Sequence, residues 1–345
     1  MGLFGPNRTT VGLDIGTGFV KVAEVGQGGD KPELRKLEMR AMPPGAIANG
    51  EVLEPGLVVD AMRGLVEEAG IATREVVTAL GGHDVFMKKL QLPRLKGDEA
   101  SSAIRREAER HIPFDISGVQ LDFQILDSQA EDPHMEVLLV AARRERVEER
   151  VKLLAEAGIG AVLIDIEAFA LGNAFTHNYP GMAEDLVALV DCGHDATRIN
   201  VLHEGVPVLS RDHHFGLSGL AESLAQENGL SLEQATEAIR GNDHVSGLDG
   251  ALEEAADLVA TAVERAAAFL RTRHPGMGMG RVFLCGGGAC VPAMVESIGR
   301  RMKVETRVAN PFEQVAVRTG AKGHALLSKT APLFLLTLGL ALRTA

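Results

Sequence analysis

At 345 residues, 46% of them hydrophobic, the chain is longer than one compact core commonly serves, so at least two lobes are expected. A net charge of -12 and an aromatic content of 4% exclude a nucleic-acid surface of clustered Lys and Arg with stacking rings, and set the chain against anionic lipid. The cysteines, Cys192, Cys285 and Cys290, have neither an even count nor a metal-ligand spacing, and read as reduced, packable thiols of a cytosolic protein.

In chain order, Met1 to Arg8 has no apolar core for a secretory signal, and Pro6 breaks the myristoylation pattern that Met1-Gly2 begins. From Thr10 to Val25, β-branched and apolar residues flank Gly16-Thr17-Gly18, the pattern of two strands joined by a tight turn. A third strand is expected over Glu33–Arg40. Val58, Met62, Leu65 and Ala69 then recur at helical spacing up to Gly70, and Glu75–Leu80 reads as a strand. Three strands, a helix and a strand are not the opening of a plain βαβ nucleotide fold.

From His83 to Ile166 the pattern changes to that of a compact unit of its own. A strand over Asp84–Leu92 stops at Pro93, and a helix capped by Asp98 carries Ile104, Ala108 and Ile112 on one face up to Pro113. Strands over Val119–Leu126 and Met135–Ala142 follow, then a helix with Val147, Val151 and Leu154 on one stripe, ending at Gly158. A strand over Val162–Ile166 closes the unit. The order βαββαβ is that of a split-βαβ module inserted into a larger domain, with an exposed polar loop at Asp127–His134.

The second half opens on the apolar strand Leu186–Val190 and continues through strands near Arg198–Leu202 and Val206–Arg211. Short helices over Leu217–Gly229 and Ser231–Arg240 precede a long one, Ala251–Arg273, with Leu252, Ala256, Val259, Val263, Ala266 and Leu270 facing inward. A strand at Arg281–Leu284, a triple glycine and a closing helix and strand complete the half. The apolar run Leu333–Leu342 is about half the roughly 20 residues that a membrane-spanning helix requires, and reads better as a final helix packed on a core than as the alternative, an interfacial anchor.

Three motifs carry the chemistry, each placed at the end of an apolar strand. The first is Asp14-Ile15-Gly16-Thr17-Gly18, followed by Lys21. Its glycines allow backbone amides to approach a polyphosphate, Lys21 can neutralise phosphate charge, and Asp14 can reach it through a hydrated Mg2+. The second, Asp191-Cys192-Gly193-His194-Asp195-Ala196-Thr197, repeats the design, with Asp191 on the other side of the same metal. The third, Cys285-Gly286-Gly287-Gly288-Ala289, opens a helix where close backbone approach suits a flat base and its ribose. Any one of these is equally a plain turn; all three in this order point to a nucleotide site.

The ordered set resembles the two phosphate motifs and the adenosine motif of the actin and sugar-kinase superfamily. That resemblance implies an α/β, actin-like (ribonuclease H-like), two-lobed ATPase fold that holds ATP and Mg2+. It also implies roles for Glu167, as the carboxylate that orients an attacking water, and for Glu237 and Arg240, as the pair that holds the ribose. An acid at a helix N-terminus and an i,i+3 surface pair are the competing explanations of these residues.

Ile104 to Asp115, with its Ile-Pro-Phe-Asp ending, and Leu121-Asp122-Phe123 are similar to the most distinctive stretch of the PilM family of type IV pilus assembly proteins, which are FtsA-like. Gly339-Leu340-Ala341-Leu342-Arg343 resembles that family too. The resemblance implies subdomain 1A over 1–82, 164–185 and 313–345, subdomain 1C over 83–163, subdomain 2A over 186–215 and 280–312, and subdomain 2B over 216–279. It implies a partner as well: the N-terminal cytoplasmic tail of the inner-membrane protein PilN, in a groove between 1A and 1C, with Phe86, Phe114 and Phe123 as candidate lining or core residues.

The protein is thus expected to be cytoplasmic and peripheral to the inner membrane through its partner, with no direct membrane span, no nucleic acid and slow ATP turnover at most. Other pilus platform and motor proteins and self-association stay open as contacts. Two alternatives compete. A small-molecule kinase of the same superfamily needs a polar acceptor pocket in the first lobe, where the insert offers apolar strands and charged helices. A filament-forming, FtsA-like division protein usually adds a linker and an amphipathic C-terminal helix, which this pattern does not supply.

Overall fold

The hairpin expected around Gly16 opens the fold: β1 (Arg8–Ile15) and β2 (Phe19–Gln27) pair antiparallel, and β3 (Glu33–Ala41) pairs with β2. The computed structural model describes residues 8–126, 132–182, 186–241, 245–273, 276 and 278–343. A short hairpin of β4 (Ile47–Ala48) and β5 (Glu51–Val52) leads to α1 (Pro55–Ala69). Pro55 suits a first turn, where its missing N–H is not needed, and Gly70 ends the helix in a left-handed conformation at φ 65°. β6 (Glu75–Leu80) lies parallel to β1, and α1 packs Val58, Met62 and Leu65 into one core with Val11, Leu13, Val20 and Val22.

The chain divides into two compact units, 1–79 with 153–345 and, separately, 80–152. The smaller unit holds β7 (Val85–Pro93), α2 (Gly97–His111), β8 (Val119–Ile125), β9 (His134–Arg143) and the start of α3 (Arg144–Glu156). Its antiparallel sheet runs β7-β9-β8 over a core of Leu90, Leu92, Ile104, Ala108, Met135, Val137 and Leu139. Phe86, Phe114 and Phe123 are half-buried against that core, and the Arg143 guanidinium stands 4.4 Å over the Phe114 ring. Two expectations change here. Lys96 holds the N-cap position of α2, so Asp98 sits in the first turn, where the helix dipole and not a side-chain cap favours it. Val151 is 47% exposed, and Leu153 and Leu154 are the buried residues of α3. Of the polar loop, residues 127–131 lie outside the described residues.

The strand expected to close this module does not belong to its sheet. β10 (Gly160–Ile166) lies beside β6 in the larger unit, where the Gly160 amide donates to the Arg74 carbonyl at 2.7 Å. Leu153, Leu154, Ala157 and Ile159 pack into the α1 core. The expected βαββαβ insert over 83–163 is therefore a three-stranded unit over 80–152. Chain order ranks the strands but does not say which neighbour supplies a ladder partner.

α4 (Glu167–Asn178) then leads to a second set of strands: β11 (Leu186–Cys192), β12 (Thr197–His203) and β13 (Val206–His213). Helices α5 (Leu217–Asn228), α6 (Leu232–Ile239) and α7 (Leu248–Arg273) follow, then β14 (Met279–Cys285), α8 (Pro292–Arg301) and β15 (Glu305–Val308). All six residues expected to face inward from α7 are buried, in one core with Leu186, Ala188, Val190 and Cys192. The chain returns through β16 (Ala316–Lys322), α9 (His324–Thr330), a helical turn at Ala331–Phe334 and α10 (Leu335–Ala341).

Besides the short β4-β5 hairpin, the larger unit thus contains two sheets, ordered β10-β6-β1-β2-β3-β16 and β13-β12-β11-β14-β15. Apart from β16 they share one plan: three antiparallel strands in sequence, then two strands added on the other side of the first, the nearer of them parallel to it. α10 is wholly buried, as expected of the apolar run. A side chain at Gly12 would collide with the Thr337 carbonyl, and one at Gly339 with the Ala170 carbonyl, so these glycines admit the helix onto β1 and α4. Among the described residues no helix is long and apolar enough to cross a membrane.

Candidate functional site

The two sheets place two hairpins of the same construction within the larger unit. In the first, the Gly16 amide donates to the Phe19 carbonyl at 3.0 Å; in the second, the Gly193 amide donates to the Ala196 carbonyl at 3.0 Å. Each turn therefore begins two residues after an aspartate at a strand end. The hairpins meet, because a first side-chain carbon on Gly18 would lie 3.0 Å from the Cβ and Cγ of His194.

Strand alternation decides which side chains enter the cleft. On β11, Leu186, Ala188, Val190 and Cys192 enter the core under α5 to α8, while Val187 and Leu189 pack against α4 and α10. Asp191 falls on the latter side. Its partner across the ladder is Arg198, whereas Cys192 is paired with Thr197. Thr197 is accordingly fully buried with its hydroxyl beside the Cys192 thiol, and does not reach the cleft as the sequence reading required. Arg198, one residue further along, does.

The first hairpin repeats this arrangement with Asp14 opposite Lys21. Lys21 Nζ lies 2.6 Å from Asp14 Oδ2 and donates to the Leu333 carbonyl at 3.2 Å. The signal that would have found Arg198 is in the sequence: Lys21 follows Asp14, and Arg198 follows Asp191, by the same seven positions.

Glu167 joins the cluster from the first turn of α4, which is held on β12 by a buried hydrogen bond from Asn200 Nδ2 to the Ala168 carbonyl at 2.7 Å. Arg198 Nε is 2.9 Å from Glu167 Oε2 and 3.9 Å from Asp212 Oδ2, and Nη1 is 3.6 Å from Asp191 Oδ2. Burial raises the Glu167 carboxyl above the ordinary carboxylate range against the opposing pull of Arg198, and Asp14, Asp212 and Asp191 push it further. Burial raises Asp191 in the same way, with Arg198 and Lys21 opposing. Burial alone would depress Lys21, but the charge and hydrogen bond of Asp14, with Asp191 beyond it, outweigh that and leave it raised. Arg198 is held charged, chiefly by Glu167. Asp14 and Asp191 thus share one field, in which four carboxylates face two cations.

The glycine motif folds over the end of the second hairpin. Gly286 has φ 75°, and a side chain there would collide with Asp191 Oδ1; one on Gly288 would come within 2.5 Å of the Cys192 Cβ, and one on Gly287 within 2.8 Å of the Leu217 Cδ1. The close approach that these glycines permit is between loops of the protein itself. Burial pushes the Cys192 thiol up to about 12 and Cys290 up to about 11, which suits inert packing residues. Glu237 and Arg240 pair with each other at 2.6 Å on the exposed surface of α6, the arrangement of an i,i+3 surface pair.

Among the described residues, no group of three or more His, Cys, Asp or Glu is placed to hold a metal ion directly. Two carboxylates on facing loops fit a hydrated Mg2+, which keeps most of its waters and takes further oxygens from phosphate.

A family model described as type IV pilus assembly protein PilM matches residues 12–345. Among solved structures, the chain is similar to a PilM-PilN type IV pilus biogenesis complex, with 29% identity and a TM-score of 0.84 over 97% of this chain and 98% of that one. It is also similar to the ethanolamine utilization protein EutJ from Carboxydothermus hydrogenoformans, with 18% identity and a TM-score of 0.50 over 99% of this chain and 91% of that one. MreB 5 of Spiroplasma citri bound to AMPPNP has 12% identity and a TM-score of 0.51, over 96% of this chain and 94% of that one. The last two likenesses concern the fold alone, which is the expected actin-like α/β fold.

Proposed function

This chain belongs to the PilM family of type IV pilus assembly proteins, and from that premise we propose that it is a cytoplasmic ATP-binding member of the pilus inner-membrane platform, peripheral to the membrane through a PilN-type partner. The observation that supports nucleotide binding most directly is the meeting of two Asp-x-Gly hairpins, with Gly18 against His194 and with Asp14 and Asp191 in one field. In this reading Asp14 and Asp191 hold a hydrated Mg2+. The turns around Thr17 and His194 offer backbone amides to the phosphates, Lys21 exchanges Asp14 for phosphate oxygen, and the loop at Gly286, Gly287 and Gly288 takes the adenosine side. Glu237 and Arg240 take the ribose. The metal supplies charge neutralisation between carboxylates and phosphates.

The complex of PilM with PilN supports the partner assignment. A short tail gaining order on a folded surface can couple this chain to the membrane without insertion of the chain itself.

ATP binding measured by calorimetry with and without Mg2+ tests the nucleotide site. Asp14→Asn is the cleaner variant, because it removes the charge but keeps the side chain's shape and an acceptor oxygen for Lys21, 13% exposed, whereas Asp14→Ala removes all three. The expected result is a loss of affinity of at least about tenfold, together with loss of the Mg2+ dependence; an unchanged affinity would remove Asp14 from the site. A PilN-like tail peptide is expected to bind the same protein, with an affinity that differs between ATP-loaded and ATP-free protein and depends on residues 80–152.

A further inference from the structure

Arg198 faces Glu167, the acid to which the superfamily resemblance gives the water-orienting role. Its guanidinium engages Glu167 at 2.9 Å and Asp191 at 3.6 Å, and these two carboxylates are only 17% and 13% exposed. Bulk water therefore screens the pairing weakly. The Oε2 oxygen of Glu167 is enclosed and accepts no hydrogen bond, so its tie to Arg198 is one of charge without an aligned N–H donor. A carboxylate that orients a nucleophilic water has to offer an oxygen to that water. Here a cation faces it.

Lys21 provides the contrast. It holds the matching place in the first hairpin, yet its contacts are Asp14 and the Leu333 carbonyl. The two cations are alike in position and differ in what they restrain. A planar guanidinium can engage two carboxylates from one fixed plane, which a compact ammonium does less well. α4 cannot easily carry Glu167 away, because Asn200 of the same strand as Arg198 is bonded to the Ala168 carbonyl.

We propose that Arg198 is a built-in restraint on Glu167: the chain holds ATP with its water-orienting carboxylate engaged by an internal cation, and turnover is suppressed while that pair lasts. The proposal rests on the nucleotide reading given above and on the water-orienting role that the superfamily resemblance gives Glu167. In the suppressed reaction water oxygen bonds to the terminal phosphorus and the bridging P–O bond breaks. ADP leaves with that electron pair, and the proton of the water passes to Glu167 and on to solvent. Arg198 acts as a positioning residue and takes no part in those bond changes.

The test uses the full chain. ATP binding and single-turnover hydrolysis with Mg2+ are measured for wild type, Arg198→Gln and Arg198→Lys. Thermal denaturation without nucleotide is measured for Arg198→Gln, Glu167→Gln and the double variant. Arg198→Gln is expected to bind ATP and to hydrolyse it at least about tenfold faster than wild type, with Arg198→Lys between them. The double variant is expected to recover at least about half of the Tm that Arg198→Gln loses, since Glu167, the carboxylate nearest Arg198, is then no longer a buried charge without its cation.

ATP binding with turnover no faster than wild type in Arg198→Gln overturns the restraint, and so does a double variant that melts no higher than Arg198→Gln. Should Arg198→Gln not fold, the comparison passes to Arg198→Lys, where a rate at or below wild type overturns it. Wild-type protein that binds no ATP removes the nucleotide reading and this proposal together, an outcome distinct from binding with unchanged turnover.

Discussion

Gly286 sits directly on Asp191. Any side chain at position 286 would collide with the carboxylate oxygen Oδ1 of Asp191, and the backbone there has a φ of 75° that side chains resist. The glycine loop and the second hairpin are therefore fitted to each other at the carboxylate proposed to face the metal. Gly286→Ala is expected to cost about 2 kcal/mol or more in urea denaturation and to weaken ATP binding. Gly287→Ala meets only the tip of the Leu217 side chain, at 2.8 Å, and is expected to cost under about 1 kcal/mol. Equal costs at the two positions would contradict the fit.

A pH dependence follows from the cluster around Arg198. Burial makes Glu167 and Asp191 hold their protons more tightly in the folded chain than in the unfolded one. The stability that this adds is complete below the ordinary carboxylate range near about 4, and is lost as pH rises through their elevated folded values. Without nucleotide, the protein is expected to lose Tm as pH climbs from that range toward neutrality. Glu167→Gln should flatten part of this slope, and Tm measured across the range for both proteins checks it; superimposable slopes would place Glu167 outside the cluster. Lys21 acts at the other end. Its folded value is raised, so its contribution is complete below the ordinary value of about 10.4 and is lost as pH rises from there through the folded value.

Asp165, two residues before Glu167, is used differently. It is 4% exposed on β10, and its Oδ2 lies 2.9 Å from Arg343 Nε just beyond α10. Burial raises its carboxyl while Arg343 pulls it back. Arg343→Ala is expected to destabilise the protein by about 1–2 kcal/mol, a value kept small because Arg343 is 39% open to solvent. Asp165→Asn with Arg343→Ala should restore most of that loss in urea denaturation. Additive losses would show that the pair is not coupled.

Much of this architecture was legible in periodicity. The alternating burial of β11, the inward stripe of α7 and the turns at Gly16 and Gly193 follow from local pattern, and the buried α10 follows from length and apolarity. Less legible were features set by partners distant in sequence. β10 was expected in the small module because it follows that module, yet its ladder partner is β6. Thr197 reads as part of the Asp191–Thr197 motif, yet a residue paired with buried Cys192 must face the same core. Arg198 carries no motif signal of its own; only its register with Lys21, seven positions after the hairpin aspartate, marks it. Asp165 and Arg343 are 178 positions apart, and no local rule relates them.

The burial of α10 also bears on the order in which the polypeptide takes shape during synthesis. All the strands of the second sheet lie between Leu186 and Val308, so that half can mature from one continuous stretch. β1 and β2 emerge first but are covered on one side by a helix made some three hundred residues later. The earliest strands must therefore remain uncovered while everything between is translated, and that interval is where a chaperone has most to protect.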